Sequence, residues 1–242
     1  MLGLKNKSNK RKKSRLGTMG RRLITVSDSR SILAEQFRTI RTNIKFSVPE
    51  ENLKTILVTS SVPGEGKSTN AANLGVVFAQ EGKNVLIVDA DLRKPTLHYT
   101  FGIFNTVGLS TVLSKQNEIS CAIQETPIVG LFVLPSGPIP PNPTQLLSSK
   151  TFATFLEEMK KSYDIIIFDT PPLLSVSDAQ ILSNQCDGTL LVVHSGVAEK
   201  KDVLMAHSVL TTSKGKVLGV VLNNYKMPKN RKYYYQYYGA DE

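Results

Sequence analysis

Between residues 55 and 222, six short and mostly apolar runs recur: Thr55–Thr59, Val85–Asp89, Leu131–Pro135, Asp164–Asp169, Thr189–His194 and Val217–Leu222. Runs of this length without polar alternation suit strands covered on both faces, as in parallel sheets. Helical patterns separate them, at Ser68–Gln80 with Gly82 as a stop, Lys150–Lys161, Asp178–Asn184 and Lys200–Thr212. This alternation predicts a doubly wound α/β fold, a mostly parallel sheet flanked by helices. The chain's 242 residues suffice for one large core. Ahead of the first run, Ile32, Leu33, Phe37, Ile40 and Ile44 form an apolar stripe that predicts a helix over residues 31–46. Pro135–Thr144 holds five of the twelve prolines and is expected to be irregular. The expected organisation is a tail over residues 1–22, one folded unit over 23–224 and a tail over 225–242.

The formal net charge of +10 belongs to the first tail. Nine Lys and Arg residues lie between Lys5 and Arg22 with no acid among them, and +10 less nine leaves +1 for the rest. A like-charge block mixed with Ser, Asn and Gly is expected to stay disordered. It is either simply solvated or attracted to an anionic membrane surface, at about 1 kcal/mol per basic residue. Nucleic acid ranks behind both, because no aromatic side chains are interleaved for base stacking. No window approaches the roughly 18 apolar residues of a membrane span, and the basic start lacks the apolar region of a secretory signal. Cys121 and Cys186 provide neither a disulfide framework nor zinc spacing. Cytoplasmic residence is expected.

The first run leads into Ser60–Thr69, Ser-Ser-Val-Pro-Gly-Glu-Gly-Lys-Ser-Thr, and then a helix. Inward-pointing N–H groups require small residues and positive φ, which Gly64 and Gly66 supply. Lys67 can reach β- and γ-phosphates, Ser68 offers a hydroxyl to Mg²⁺, and the helix dipole favours the same anion. Pro63, Gly64, Glu65, Gly66, Lys67, Ser68 and Thr69 are therefore expected ATP contacts. Ser61 stands where the usual phosphate-loop pattern has its first Gly, so this is a deviant Walker A sequence. Asp89 and Asp91 close the second run and Asp169 the fourth. Ligands of open α/β sheets bind at those carboxyl edges. Mg²⁺ prefers carboxylate and phosphate oxygens, and phosphoryl transfer needs both a metal and a group to take up a proton. A lone Asp after a strand is usually a turn former; three around a phosphate loop are poorly explained that way.

Together, the loop Ser60–Thr69, Leu86–Pro95 (LIVDADLRKP) and Ile165–Pro172 (IIIFDTPP) resemble the bacterial tyrosine kinases of capsular and exopolysaccharide synthesis. Glu35-x-x-Arg38-x-x-Arg41 is similar to that family's oligomerisation motif. The resemblance implies a P-loop NTPase fold, with Lys67 on the phosphates and Ser68, Asp91 and Asp169 holding Mg²⁺. It gives Asp89 as acceptor of the phenolic proton, Thr69 beside the α-phosphate, and Asn223 or Asn224 as the adenine contact. It also implies a membrane activator of the polysaccharide co-polymerase type, a homo-oligomeric ring in which one subunit's tail enters its neighbour's site, and a phosphotyrosine phosphatase. The protein would then sit at the inner face of the cell membrane through its partner. From the residues alone, Glu35, Arg38 and Arg41 read as an ion-paired surface face of one helix.

Six of the eight tyrosines lie in the last eighteen residues. Among them Tyr233, Tyr234, Tyr235, Tyr237 and Tyr238 form the expected autophosphorylation cluster. A tyrosine-rich edge strand is the competing reading, disfavoured by the surrounding Lys, Pro, Asn and Gly. Each phosphate would add about −1.5 to −2 charges to a basic segment. A rival function is a nucleotide-driven positioning ATPase of the partitioning or division-site type. Those carry a signature Lys early in the phosphate loop, where this chain has Val62. A nucleic-acid adaptor acting through the basic tail would leave the three acids unexplained.

Overall fold

The computed structural model describes residues 23–49 and 53–226. The basic tail and the tyrosine cluster lie outside the described residues. The described residues begin with a short helix α1 (Ile24–Ser27) and a longer α2 (Ile32–Ser47). Ser31 caps α2 by accepting from the Ala34 N–H at 3.2 Å. Strand β1 (Thr55–Ser60) then leads through the glycine-containing loop into α3 (Lys67–Ala79). Next come β2 (Val85–Asp89), the short helices α4 (Leu97–Phe101), α5 (Leu109–Leu113) and α6 (Ile119–Ala122), and strands β3 (Gln124–Glu125) and β4 (Leu131–Leu134). Helices α7 (Pro143–Leu147) and α8 (Lys150–Ser162) precede β5 (Ile165–Asp169). The chain closes with α9 (Asp178–Gln185), β6 (Gly188–His194), α10 (Lys200–Thr212) and β7 (Val217–Asn223).

The strands form one seven-stranded sheet in the order β3-β4-β2-β5-β1-β6-β7. Every pairing is parallel except β3 with β4. From β1 the chain runs through β2 to β4, returns to insert β5 between β2 and β1, and then continues on the other side through β6 to β7, the expected doubly wound α/β arrangement. Successive strand residues feed opposite layers. Ile56, Val58, Ile87 and Ile167 pack on the face holding α2 and α3. Leu57, Leu86, Val88 and Phe168 join Phe152, Phe155 and Met159 of α8 on the other. Gly75 brings α3 close to the sheet, since a methyl at that position would overlap Ile87.

The structure adds what the alternation pattern does not contain, namely the two-residue antiparallel β3 and helices of four or five residues. Pro135–Thr144 is irregular until Pro143 starts α7. β7 lies at the sheet's edge, and Val220 and Leu222 are more than half exposed there. Its apolar sequence reads as covered on both faces, but among the described residues it has a neighbouring strand on one side only. Among the described residues, no helix is long and apolar enough to cross a membrane.

Candidate active site

The register of the sheet gathers the acids. Asp89 at the end of β2 is the direct partner of Asp169 at the end of β5, and Asp169 in turn pairs with Val58 of β1. Adjacent strands lie about 4.8 Å apart, so both carboxylates open at one carboxyl edge beside the loop that follows β1. Asp89 and Asp169 are fully buried, and Asp91 is nearly so.

Gly64 and Gly66 take left-handed conformations, with φ of 85° and 92°. Gly66 is the N-cap of α3 and contributes no side chain, so no side chain caps that helix start. Uncapped first-turn N–H groups at a helix start are the chemistry of an anion site. Lys67 extends its ammonium to 2.9 Å from Asp91, 3.8 Å from Asp169 and 3.4 Å from the Ser68 hydroxyl. Burial lowers its pKa, but Asp169 and then Asp91 outweigh it and hold it above its ordinary value.

Each acid is held differently. Asp91 Oδ1 accepts from the Lys94 N–H at 3.0 Å, leaving Oδ2 to Lys67. Asp89 Oδ2 accepts from the Thr96 and Leu97 N–H groups at 3.1 and 3.0 Å. Asp89 Oδ1 and both oxygens of Asp169 are buried without a well-formed hydrogen bond. Burial, and after it the neighbouring Asp169, pushes the Asp89 carboxyl from 3.8 up to about 8. Burial likewise raises Asp169, with Lys67 pulling it partly back. Orphaned buried acceptors are costly, and here they cluster on the two strand ends that face the phosphate loop. Among the described residues, no group of three His, Cys, Asp or Glu side chains is spaced to cage a metal.

Other expected residues fall nearby with different partners. The Glu65 carboxylate is buried and bonded to the backbone of Val62 and His194. Asn223 donates its amide to the Glu65 carbonyl at 2.8 Å, and Asn224 meets His194. Thr69 opens with Asn223 onto a groove walled by Phe37, Ile40 and Val221. On α2, Glu35 and Arg38 form the expected ion pair. Arg41 instead reaches α3, donating to the Val77 carbonyl at 2.8 Å, so it anchors α2 within the fold.

Two constellations have no single-sequence signal. Arg93 grips the fully buried Asp178 through Nε at 2.7 Å and Nη2 at 3.1 Å, and Thr144 donates to the same carboxylate at 2.6 Å. This triad ties the loop of Asp91 to α7 and α9. Thr25, also buried, bonds Asn73 of α3 through both its N–H and its hydroxyl. The partners are 85 and 48 residues apart in sequence.

A strand, glycine loop and helix at the centre of a parallel sheet, with acids at its carboxyl edge, define a P-loop nucleotide-binding protein. Residues 53–199 match the AAA-domain family. The chain is 49% identical over 231 residues to "Tyrosine-protein kinase YwqD" of Bacillus subtilis, covering 96% of this chain and 97% of the relative. A crystal structure described as the chimerical protein CapA2B2 superposes with a TM-score of 0.82 at 43% identity, covering 86% of this chain and 91% of that one. The kinase domain of the Escherichia coli tyrosine kinase ETK gives 0.79 at 31%, with 85% and 82% covered. The chain belongs to the bacterial tyrosine-protein kinases.

Proposed function

We propose that this protein transfers the γ-phosphoryl group of ATP to protein tyrosine, its own cluster Tyr233, Tyr234, Tyr235, Tyr237 and Tyr238 included. The observation that carries this reading is the meeting of Lys67 with the buried Asp91 and Asp169 at one sheet edge, with the buried Asp89 beside Asp169. The loop Pro63–Thr69 and the start of α3 hold the phosphates, with Lys67 balancing their charge. Asp89 is fixed through Oδ2 by two backbone N–H groups, so its unpartnered Oδ1 is free to take the phenolic proton. Ser68, Asp91 and Asp169 offer oxygens suited to Mg²⁺, which when bound neutralises charge on the moving phosphoryl group.

Transfer runs between subunits of a homo-oligomeric ring in this reading, with Glu35, Arg38 and Arg41 on the helix that meets a neighbour. Glu35, whose side chain is 61% exposed, is the member available for such a contact. A membrane partner of the co-polymerase type positions the protein peripherally at the inner membrane face, and a phosphotyrosine phosphatase reverses the reaction. The process served is capsule or exopolysaccharide synthesis.

Incubation with ATP and Mg²⁺, alone and with the membrane partner, followed by phosphotyrosine detection, tests the activity. Lys67→Met should lower the signal ~100-fold or more. Free phosphate without phosphotyrosine would instead identify a positioning ATPase.

A further inference from the structure

Glu65 is an unexpected residue inside a loop read as a polyanion site. Its carboxylate is 1% exposed, and both oxygens are engaged within the protein. Oε2 accepts from the Val62 N–H at 2.9 Å and Oε1 from the His194 N–H at 3.1 Å. Its own carbonyl accepts from the Asn223 amide at 2.8 Å. One residue thereby joins the entry of the phosphate loop, the end of β6 and the end of β7. The joint is tight, because a methyl on Gly66 would overlap the Asn223 amide. On its far side, His194 Nε2 meets the Asn224 amide at 2.7 Å, one residue before Tyr225.

We infer that Glu65 is a positioning residue that sets the shape of the loop Val62–Gly66 and couples it to the strand ends where the C-terminal segment begins. The inference rests on the phosphate-site reading above. It differs from an electrostatic role, in which a carboxylate near bound phosphates would weaken their binding and Glu65→Gln would tighten it. The hydrogen-bond pattern predicts the reverse. Both Glu65 oxygens face N–H donors, whereas a Gln amide offers one acceptor and one NH₂. One donor would therefore face another, and the loop would shift. Glu65→Asp keeps both acceptors but shortens the reach by one methylene.

The test is calorimetric binding of Mg-ADP together with KM and kcat for ATP, measured on full-length wild type, E65Q, E65D, N223A and E65Q/N223A. E65Q should raise Kd and KM about tenfold to a hundredfold, with kcat at saturating ATP far less affected. E65D should recover part of the loss. The double variant should bind better than the product of the single effects predicts, because both changes release the same loop. Unchanged or tighter binding by E65Q overturns the inference, and strictly multiplicative effects overturn the coupling to β7. If E65Q fails to fold, N223A alone decides: an unmoved KM rejects the brace. A wild-type protein that binds no Mg-ADP would defeat the phosphate-site reading itself.

Discussion

Replacing Asp89 with Asn tests the site through stability before any turnover is measured. The carboxylate is fully buried, with Oδ2 satisfied by Thr96 and Leu97 and Oδ1 without a partner beside Asp169. Asn preserves the shape and the acceptor toward Thr96 and Leu97, and it replaces the unpartnered carboxylate oxygen beside Asp169 with an uncharged NH₂. A buried polar atom left unpaired costs about 1–3 kcal/mol, so D89N should gain about that much at pH 8 without nucleotide. At roughly 2–4 °C per kcal/mol for a chain of this size, Tm should rise by about 3–10 °C. The pH dependence has a definite sign. Because the folded pKa is raised from 3.8 to about 8, the folded protein keeps a proton that the unfolded chain releases across that window. Wild-type stability therefore falls as pH rises from about 4 to about 8. Asn does not titrate, so the advantage of D89N should be smallest at the acid end and largest at the alkaline end. Urea unfolding of both proteins at each end measures it, and a kinase assay should show turnover lowered ~10²- to 10⁴-fold. A D89N protein less stable than wild type at pH 8, or a gap that ignores pH, would refute the strained-carboxylate argument. Undiminished turnover would remove Asp89 as the base.

Further outcomes follow from single contacts. Gly75→Ala should lose about 1–3 kcal/mol in urea unfolding by pushing α3 off Ile87. Arg93→Lys should cost about 1–2 kcal/mol and lower kinase activity, because a Lys cannot reproduce the two-point grip on Asp178. Unfolding midpoints and phosphotyrosine yield report the two effects. Replacing Tyr233, Tyr234, Tyr235, Tyr237 and Tyr238 with Phe should abolish self-phosphorylation while calorimetry finds Mg-ADP binding unchanged.

The central strands were legible because each is an uninterrupted apolar run, and a run buried on both faces records its own environment. Asp89, Asp91 and Asp169 were legible for a related reason, since they sit where such runs stop. β7 shows the limit of that signal. Its residues match a core strand in composition, yet at the sheet's edge none of them is fully buried and Val220 and Leu222 are exposed, and position is a property of the whole sheet. β3 and helices α4 to α7, of two to five residues, are shorter than the windows over which a period becomes visible. Arg41 read as part of an ion-paired surface face of one helix, because its partners, the Val77 carbonyl and the Glu81 carboxylate, lie 36 and 40 residues further along the chain. Glu65 read as a loop contact, and only folding brings the His194 N–H and the Asn223 amide to it. The pairs Arg93 with Asp178 and Thr25 with Asn73 join segments far apart in the chain, beyond any local pattern.

The strand order also governs how a tail can approach the acids. Four strand spacings, about 19 Å, separate the end of β7 from the end of β2. The eight residue-to-residue steps from Tyr225 to Tyr233 span at most roughly 28 Å. Length thus permits a molecule to reach its own Asp89. Asn224, in the left-handed region at φ 55°, turns the chain at the end of β7, and the ends of β6, β1 and β5 lie between that turn and Asp89. Reach alone does not decide between self and neighbour, and the dependence of the initial rate on protein concentration reads the answer directly.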